Sequence, residues 1–467
     1  MFLGGVVGRA VLVLLLVDVV AIMSSSLGEA PRLKGRLTTT TLPAPMRSNV
    51  PGTWAHDTMS RRVVTDILAR IVEDNSDELT RPTSPLRSEC LLLLNDLKSS
   101  LEAGRGGYLR GLSDTGPDLA EWDRILGSVK EDERNWLDAP WVISEFYLYR
   151  RVVEAFRTFE TGYDMFAQQK VQGLVEALPS IHEIAARLPA LLASEKRAAL
   201  EVAVQTSLWG NKMDLSLWPA AASSGSSSGG SSDSGRAVSA DVGEAGKISF
   251  GATLEAGRKY ILDDRTADVV RLLEQVAAAG GVREVGIVVD NAGYEVFSDM
   301  LLGHCLLALG VATKVTFHTK AHPTFVSDAT DEDCYGTIGF LCGSESDATV
   351  ALATQLQGHV DSGAFAFVSD LFWCQPTAFW DMPPAVEAKV GQSKVVFVKG
   401  DANYRRLLGE RQWPLDTLAA DVLSYWPVPV CALRTFKAEI GCGISPAKPA
   451  LIWVVHKACI SKVFTPK

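Results

Sequence analysis

Apolar residues recur at spacings of three and four positions along the first half of the chain. The spacing is clear between Val63 and Val72, and it returns over residues 141–156 and 181–208. It is the period of amphipathic α-helices that turn one face towards a core. Prolines at 82, 85, 117 and 179 fall between such stretches, where helices are expected to stop. This pattern predicts an α-helical domain over residues 41–218.

After residue 237, short apolar runs rich in β-branched residues alternate with helix-like stretches. Continuous runs of this kind are typical of strands that are buried on both faces. The predicted strands are Val285–Val289, Lys314–Phe317, Ala364–Val368, Val395–Val398 and Val428–Leu433, and the helix-like stretches lie near 294–310, 345–358 and 415–425. The alternation implies right-handed crossovers. The predicted fold class is therefore α/β: an α-helical N-terminal domain followed by a three-layer αβα domain, residues 237–467, with a largely parallel sheet.

Two segments stand apart from this pattern. Residues 219–236 consist almost entirely of Ser, Gly and Ala, and they predict a flexible linker or surface loop. Residues 1–40 contain an apolar run, Val11 to Met23, that includes Asp18 and is too short to span a membrane. Two interpretations of residues 1–40 remain open, a targeting segment or an extension upstream of the true start. The predicted location is cytoplasmic, or organellar if the segment is a targeting peptide, with no membrane association of the mature protein.

Composition narrows the class of protein. The chain has 467 residues, of which 47% are hydrophobic, and its net charge is -10. This composition excludes a wholly disordered chain, and the negative charge argues against a general nucleic-acid binder. The eight cysteines include no C-x-x-C pair. His318 and His322 form an H-x-x-x-H pair, but Pro323 directly follows the second histidine and argues against a helix that would place both on one face. A Cys/His zinc site is not expected, and Cys374 is interpreted as a buried structural thiol because no histidine lies close to it in sequence.

Polar residues follow several predicted strands at the point where each strand ends. Asp290 and Asn291 follow Val285–Val289, and Asp328 follows Phe325–Ser327. The segments 399–405 and 434–437 follow the last two predicted strands. Ligands of open α/β sheets bind at the carboxyl ends of the strands. A single Asp there is more often a helix cap. Several acids and an amide at one edge, with cations nearby, instead favour a divalent metal that holds a phosphate.

Missing motifs exclude several phosphate chemistries. No G-x-x-x-x-G-K-[ST] occurs, and no G-x-G-x-x-G follows a predicted strand. The position two residues after Asp290 is Ala292, which does not support an aspartyl-phosphate mechanism. The one G-x-S-x-G, Gly225 to Gly229, lies inside the Ser/Gly tract and has no strand before it.

The strand-end segments together resemble the metal-dependent damage-control phosphatases. More narrowly, they are similar to the sugar-phosphate phosphatase branch, whose members have also been called protein-glutamate or acidic-residue methyltransferases. The segments that carry the resemblance are Val289–Glu295, Phe325–Asp328, Lys399–Arg405 and the Arg-Thr-x-Lys motif at Arg434–Lys437, with Ser144–Arg151, Tyr163–Asp164 and Leu208–Leu215 in the helical half. The resemblance fades after Ile444, where the final residues do not look like the usual last strand of the family.

The resemblance implies roles for individual residues. Asp290, Asn291 and Asp328 match metal ligands, the metal being Mn²⁺, Co²⁺ or Ni²⁺, with Mg²⁺ as a further option. Glu295 and Asp328 match positions assigned to S-adenosylmethionine in the methyltransferase description. The positions that match substrate contacts are Asp290, Asn291, Asp401, Ala402, Asn403, Tyr404, Arg405 and Lys437.

The expected function is hydrolysis of a small phosphorylated metabolite. The resemblance suggests fructose 1-phosphate or related ketose phosphates, attacked by metal-activated water with no covalent intermediate. Arg405 and Lys437 are expected to neutralise the phosphoryl oxygens, and Asp401 either orients a water or sugar hydroxyl or caps the following helix. Two alternatives remain open: an S-adenosylmethionine-dependent protein-glutamate O-methyltransferase, and a non-catalytic protein that binds metal or sugar phosphate.

Overall fold

The computed structural model describes residues 15–20, 42–81, 84, 86–210 and 261–444. The predicted Ser/Gly linker at 219–236 lies outside the described residues, as do most of residues 1–40 and the segment after Ile444. Within the described ranges, a helical first half precedes a second half in which strands and helices alternate. This order is the one that the hydrophobic pattern predicts.

The first half of the chain is helical, and a π-helical segment, Thr58–Ile67, continues into the second of its helices. Short 3-10 turns at Gly104–Gly106 and Glu131–Glu133 lie between later helices. The α-helices are α1 Trp54–Asp57, α2 Leu68–Asp74, α3 Ser76–Thr80, α4 Arg87–Glu102, α5 Leu119–Gly127, α6 Trp141–Ala155, α7 Thr158–Thr161, α8 Ala167–Leu192 and α9 Lys196–Gly210.

Helix α8 runs through two prolines, so the prediction that a helix stops at Pro179 is wrong. Proline removes the hydrogen bond to the carbonyl four residues earlier, which is that of Val175. Val175 is 41% exposed and Pro179 is exposed as well, so the freed carbonyl faces the solvent side of the helix. The opposite face carries a continuous apolar row that packs into the core, Leu174, Ala177, Ile181, Ile184 and Leu188. Burial of that row stabilises the helix across the proline.

Strands and helices alternate through the second half. Its strands are β2 Ile261–Asp264, β3 Glu284–Val288, β4 Lys314–Lys320, β5 Phe365–Asp370, β6 Val395–Lys399 and β7 Val430–Thr435. Its helices are α10 Thr266–Ala278, α11 Tyr294–Ala308, α12 Asp331–Cys342, α13 Asp347–Asp361, α14 Pro384–Val390, α15 Asp401–Leu407 and α16 Ala419–Val422. The five predicted strands are confirmed as β3 to β7, with bounds that shift by a few residues.

The strands form one sheet in the order β2-β1-β7-β6-β3-β4-β5, in which β1 is Leu15–Val20. The five strands from β7 to β5 are all parallel to their neighbours, with Gly286 of β3 opposite Val396 of β6 and Thr316 of β4. Parallel strands bring their carboxyl ends to one edge of the sheet. The largely parallel sheet of the predicted α/β fold is therefore confirmed.

The remaining strand, β1, comes from the segment predicted to stand apart from the fold. Its residues, Leu15–Val20, pair antiparallel with β7 and parallel with β2. Residues 15–20 of the apolar run that resembles a signal-peptide core thus form a strand of the sheet. A short run of apolar, β-branched residues suits a strand with neighbours on both sides as well as it suits a targeting segment, so the pattern alone does not separate the two.

Two hydrophobic cores lie on opposite faces of the sheet. Successive residues of β6 alternate between them: Val396 and Val398 pack with α4 to α6, and Val395 and Phe397 pack with α8 to α11. This alternation follows from the two-residue period of a strand. Residues from before and after the Ser/Gly tract contribute to both cores, so the helical half supplies a layer on each face of the sheet. In the described ranges, no helix has the length and apolar character needed to cross a bilayer.

Two histidines buried in this architecture should make the protein sensitive to acid. Burial lowers the pKa of His318 to about 4, aided by Lys389 and Lys314, and burial with His359 lowers that of His304 to about 4. Between pH 6.5 and 4 the unfolded chain binds protons that the folded chain does not, so stability falls as pH falls, by up to about 3 kcal/mol per histidine. Urea titrations across this range should show a shallower pH dependence for His318→Phe than for the unsubstituted protein. An unchanged dependence would contradict the buried neutral histidine.

Candidate active site

The sequence-predicted polar residues meet at the carboxyl edge of the sheet. Asp290 and Asn291 follow β3, Asp328 lies in the loop after β4, and α15 begins at Asp401 directly after β6. The loop after β4 returns to β3, because the amide of Ala329 donates to the Asp290 carbonyl at 2.8 Å. The strand ends therefore bring together the residues that the sequence places on separate segments.

Asn291 stands at the centre of a buried hydrogen-bonded group. Its Nδ2 donates to Asp290 Oδ2 at 3.0 Å and to Glu295 Oε2 at 2.6 Å. Its Oδ1 accepts from the Ser327 hydroxyl at 2.7 Å. These bonds fix the orientation of the amide and hold Asn291 between the acids from the β3 and β4 loops.

The acids in this group raise one another's energy. Burial raises the pKa of Asp290 well above its usual range, and the charges of Asp328 and Glu295 raise it further. The positive charges of Lys437 and Lys320 act on this pKa in the opposite direction. Carboxylates that are buried and repel each other form a site that positive charge stabilises.

Lys320 is a site residue that the sequence analysis misses. Its Nζ forms an ion pair with Asp328 Oδ2 at 3.1 Å and donates to the Trp373 carbonyl at 3.0 Å. A contact of 3.5 Å joins it to Asn403 Oδ1. Lys320 is the last residue of β4, at the same edge as Asp290, whereas the apolar run that predicts this strand ends at Phe317.

A second buried lysine, Lys399, forms ion pairs with Glu295 and Asp299. Lys399 Nζ lies 2.9 Å from Asp299 Oδ1, 3.4 Å from Glu295 Oε1 and 3.0 Å from the Ser207 hydroxyl. Burial raises the pKa of Asp299 to about 6, although Lys399 opposes the shift. Because Glu295 accepts the hydrogen bond from Asn291, Lys399 fixes the centre of the site through one intermediate residue.

The loop that carries Asp328 has a strained backbone. Phe325 and Val326 adopt φ values of 48° and 69°, which non-glycine residues rarely take up and a β-branched residue least of all. The Phe325 ring lies between Phe146 and Tyr149 of α6, with centroid distances of 4.6 Å to each. Aromatic contacts from the helical half thus hold the strained loop in place at a functional edge.

Gly400 makes room for Asp290. It has φ 81°, and a Cβ built there would lie only 1.8 Å from Asp290 Oδ2. We expect Gly400→Ala to displace the Asp290 carboxylate and to reduce turnover by at least about tenfold, with a destabilisation of about 1–3 kcal/mol from the left-handed backbone. Steady-state rates and urea unfolding measure the two effects. Gly391→Ala, at a helix end away from the site, is the control, and full activity of Gly400→Ala would contradict the close approach.

The predicted substrate residue Asp401 is engaged by neighbouring groups. Its Oδ1 accepts from Arg434 Nε at 2.8 Å and from the Lys437 amide at 3.2 Å. Burial opposes ionisation of Asp401, but the charges of Arg434, Arg405 and Lys437 hold its pKa below the usual range. The Arg-Thr-x-Lys motif therefore uses its arginine to fix the start of α15. The charge of the half-buried Lys437 favours the ionised forms of both Asp401 and Asp290.

The polar groups of Asn403 and Arg405, two further predicted substrate residues on α15, form hydrogen bonds with other residues of the chain. Arg405 Nη1 bonds to Glu145 and Nε to Glu410, each at 2.6 Å, and the guanidinium lies 3.6 Å above the Trp141 ring. Asn403 Nδ2 donates to the carbonyls of Val289 and Lys399 at 3.0 Å each. Tyr404 is buried, and its neighbour Ala402 is half-buried. Arg405 thereby joins the helical half to the sheet edge.

The donor set at this edge fits a hard divalent cation. Asp290 and Asp328 offer carboxylate oxygens and Asn291 an amide oxygen, the ligand types that such ions take in proteins. Among the described residues, no three His, Cys, Asp or Glu side chains form a metal-ligating group, so a cation here depends on the amide as well as the two carboxylates. The raised pKa of Asp290 agrees with a cation site, because a bound cation would relieve the repulsion between the buried acids.

Comparisons with known proteins give matches over most of the chain. Residues 58–451 match the sequence profile of the damage-control phosphatase ARMT1-like domain. The chain is 32% identical to damage-control phosphatase ARMT1 of Rattus norvegicus over 343 residues, 70% of this chain and 73% of the relative. The Xenopus tropicalis protein of the same name is 27% identical over 437 residues, 86% of this chain and 93% of the relative.

A search of solved structures adds one comparison. The crystal structure of a DUF89 family protein from Pyrococcus horikoshii aligns with 79% of this chain and 97% of its own, at 13% sequence identity and a TM-score of 0.36.

Proposed function

We propose that this chain, which belongs to the damage-control phosphatase ARMT1-like family, is a phosphatase that hydrolyses sugar phosphates with a divalent metal bound at Asp290, Asn291 and Asp328. The observation that carries this proposal is the buried pair of acids beside two lysines. Such a site attracts a metal through its carboxylates and a phosphate through the metal and the ammonium groups.

Each residue at this edge has its own role in the proposed metal binding. Asp290 and Asp328 would hold the metal, with Asn291 fixed between them by Ser327 and Glu295. A bound divalent cation supplies Lewis-acid chemistry, which polarises a phosphoryl oxygen and makes water more acidic. Lys320 orients Asp328 through their ion pair at 3.1 Å.

The cations at the edge would stabilise the charge that develops on the phosphoryl group. Lys437 is half-buried and lies beside Asp290, so its ammonium is placed to contact a phosphate oxygen. Arg405 is neutralised by Glu145 and Glu410, and its contact with the phosphoryl group stays a prediction that requires release from one of these carboxylates. The preference for ketose phosphates rests on the sequence resemblance.

Phosphate release from a panel of sugar phosphates tests the proposal. The protein is stripped with EDTA, checked for an intact fold by circular dichroism, and supplied separately with Mn²⁺, Co²⁺, Ni²⁺ or Mg²⁺. We expect release that requires metal, that favours fructose 1-phosphate over an aldose 6-phosphate, and that Lys437→Ala lowers by about 10²-fold. Folded protein that releases no phosphate with any of these metals would overturn the proposal. Labelled methyl transfer from S-adenosylmethionine in the same samples would support the methyltransferase alternative.

A further inference from the structure

A thiol and an imidazole that are far apart in sequence meet beside the candidate site. Cys374 ends the 3-10 turn Leu371–Cys374 after β5, and His322 follows β4, the neighbouring strand. Cys374 is 2% exposed and His322 is 3% exposed. The interpretation of Cys374 as a purely structural thiol depends on there being no histidine near it in sequence, and the fold supplies one.

The hydrogen bonds of His322 fix which ring nitrogen is basic. Its Nδ1 lies 3.0 Å from the Pro323 carbonyl, which can only accept, so Nδ1 carries the hydrogen. The other nitrogen, Nε2, is buried and has no hydrogen-bond partner among the described residues. Burial disfavours the charged imidazole, but Cys374, the Pro323 carbonyl and Asp118 together raise the pKa of His322. The Cys374 thiol lies 3.8 Å from the backbone carbonyl of the same histidine, so the unpartnered Nε2 belongs to the residue that the sulfur contacts.

Two cations bind the turn that carries the sulfur. Arg406 donates to the carbonyls of Phe372 and Trp373, at 2.6 and 3.1 Å, within the turn that carries Cys374. Burial lowers the pKa of Arg406 to about 9, so it stays protonated at neutral pH, and it forms no salt bridge with the described part of the chain. Lys320 Nζ binds the same Trp373 carbonyl. A thiolate at Cys374 would serve as counter-ion to a buried guanidinium.

The backbone adds a direct contact to the sulfur. The amide of Ala321 donates to Cys374 Sγ at 3.2 Å, a bond that strengthens when the sulfur is anionic. Ala321 itself is exposed, so the sulfur lies directly beneath the surface. Burial opposes ionisation of the thiol, yet the charges of His322 and Lys320 and the hydrogen bonds lower the pKa of Cys374.

Other buried cysteines of the protein show the opposite behaviour. Burial raises the pKa of Cys305 to about 12 and that of Cys334 well above its usual range. Both are as fully buried as Cys374. The difference at Cys374 is the imidazole, the two cations and the amide, which together make the environment that activates thiols.

We propose that Cys374 is a site of oxidation by hydroperoxides, with His322 as the base that accepts its proton. The thiolate sulfur attacks one peroxide oxygen, the S–O bond forms and the O–O bond breaks. Sulfur loses two electrons to the peroxide, and the leaving hydroxide takes the proton from the imidazolium to become water. The product is an uncharged sulfenic acid, so Lys320 and Arg406 lose their anionic neighbour beside the Asp328 ion pair. This proposal does not depend on the phosphatase function.

Mapping sulfenic acid by mass spectrometry tests the proposal. The full-length protein is exposed to low hydrogen peroxide at pH 7, the excess is removed with catalase, and the protein is unfolded in dimedone, which labels sulfenic acids. We expect labelling of Cys374 to exceed that of Cys305 and Cys334 by at least about tenfold. Equal labelling of these three buried thiols, or labelling confined to the exposed Cys342, would overturn the proposal.

A variant tests the role of the histidine. His322→Asn should reduce labelling of Cys374 by at least about tenfold and leave that of Cys342 unchanged. Near-ultraviolet circular dichroism verifies that the variant is folded. If it is not, the comparison of the three buried thiols in the unsubstituted protein still decides the proposal. A folded His322→Asn protein with undiminished Cys374 labelling would refute the role of the imidazole.

Discussion

Replacing Asp290 with asparagine should abolish phosphate release and leave the protein at least as stable as before. Burial, Asp328 and Glu295 all raise the pKa of Asp290, so its ionised form destabilises the folded state at neutral pH. Asparagine keeps the shape and removes the charge. We expect a fall in kcat of at least about 10³-fold and a urea midpoint that is equal or higher.

Rates at saturating metal and equilibrium urea unfolding check the two halves of this prediction. Asp347→Asn is a matched control, because Asp347 is an exposed carboxylate on α13, and it should change neither quantity. Metal affinity, measured by calorimetry, should fall together with kcat. If Asp290→Asn retains more than about a tenth of the activity, Asp290 is not a ligand of an essential metal.

Replacing Lys399 with methionine should destabilise the protein by about 3–5 kcal/mol. Lys399 lies within ion-pair distance of Glu295 and Asp299, and both carboxylates are buried. Methionine fills the same space without charge, so two buried acids lose their cation. Urea unfolding at pH 7.5 measures the loss.

The pH dependence of Lys399→Met separates charge from packing. The pKa of Asp299 is already raised to about 6, and loss of the lysine raises it further. Protonation of Asp299 then restores part of the lost stability as pH falls from 7.5 to 5.5, whereas lost packing would not respond to pH. Lys394→Met, at an exposed position just before the same strand, should change stability by less than about 0.5 kcal/mol. A loss below about 1 kcal/mol in Lys399→Met would contradict the buried ion pair.

The polar residues that follow the strands could be predicted because the sequence pattern that marks them is local. A β-branched run followed by Asp290 or by Asp401 needs no knowledge of the rest of the fold, and the parallel sheet then places these residues at one edge. Lys320 has no such signal. The apolar run ends at Phe317, and the strand continues through His318 to Lys320, whose polar side chains are buried by β5 and the turn after it.

The partners of the buried charges could not be predicted for a different reason. Ser207 of α9 touches Lys399 of β6, and Cys374 touches His322 from the neighbouring strand end, although long stretches of sequence separate the members of each pair. Such pairs depend on which strands become neighbours. Asp290, Asn291 and Asp328 lie together at one edge of the sheet, and both their role as metal ligands and the identity of the metal stay predictions.

The two cores shared by both halves of the chain have a consequence for how the protein can be divided. A cut within residues 219–236 breaks none of the described contacts, yet it separates α8 and α9 from the strands on which they pack. Neither fragment would then cover its own apolar surface, and each becomes the obligatory partner of the other. The protein is thus a natural candidate for fragment complementation, in which two polypeptides remain unfolded alone and recover one enzyme when they are mixed.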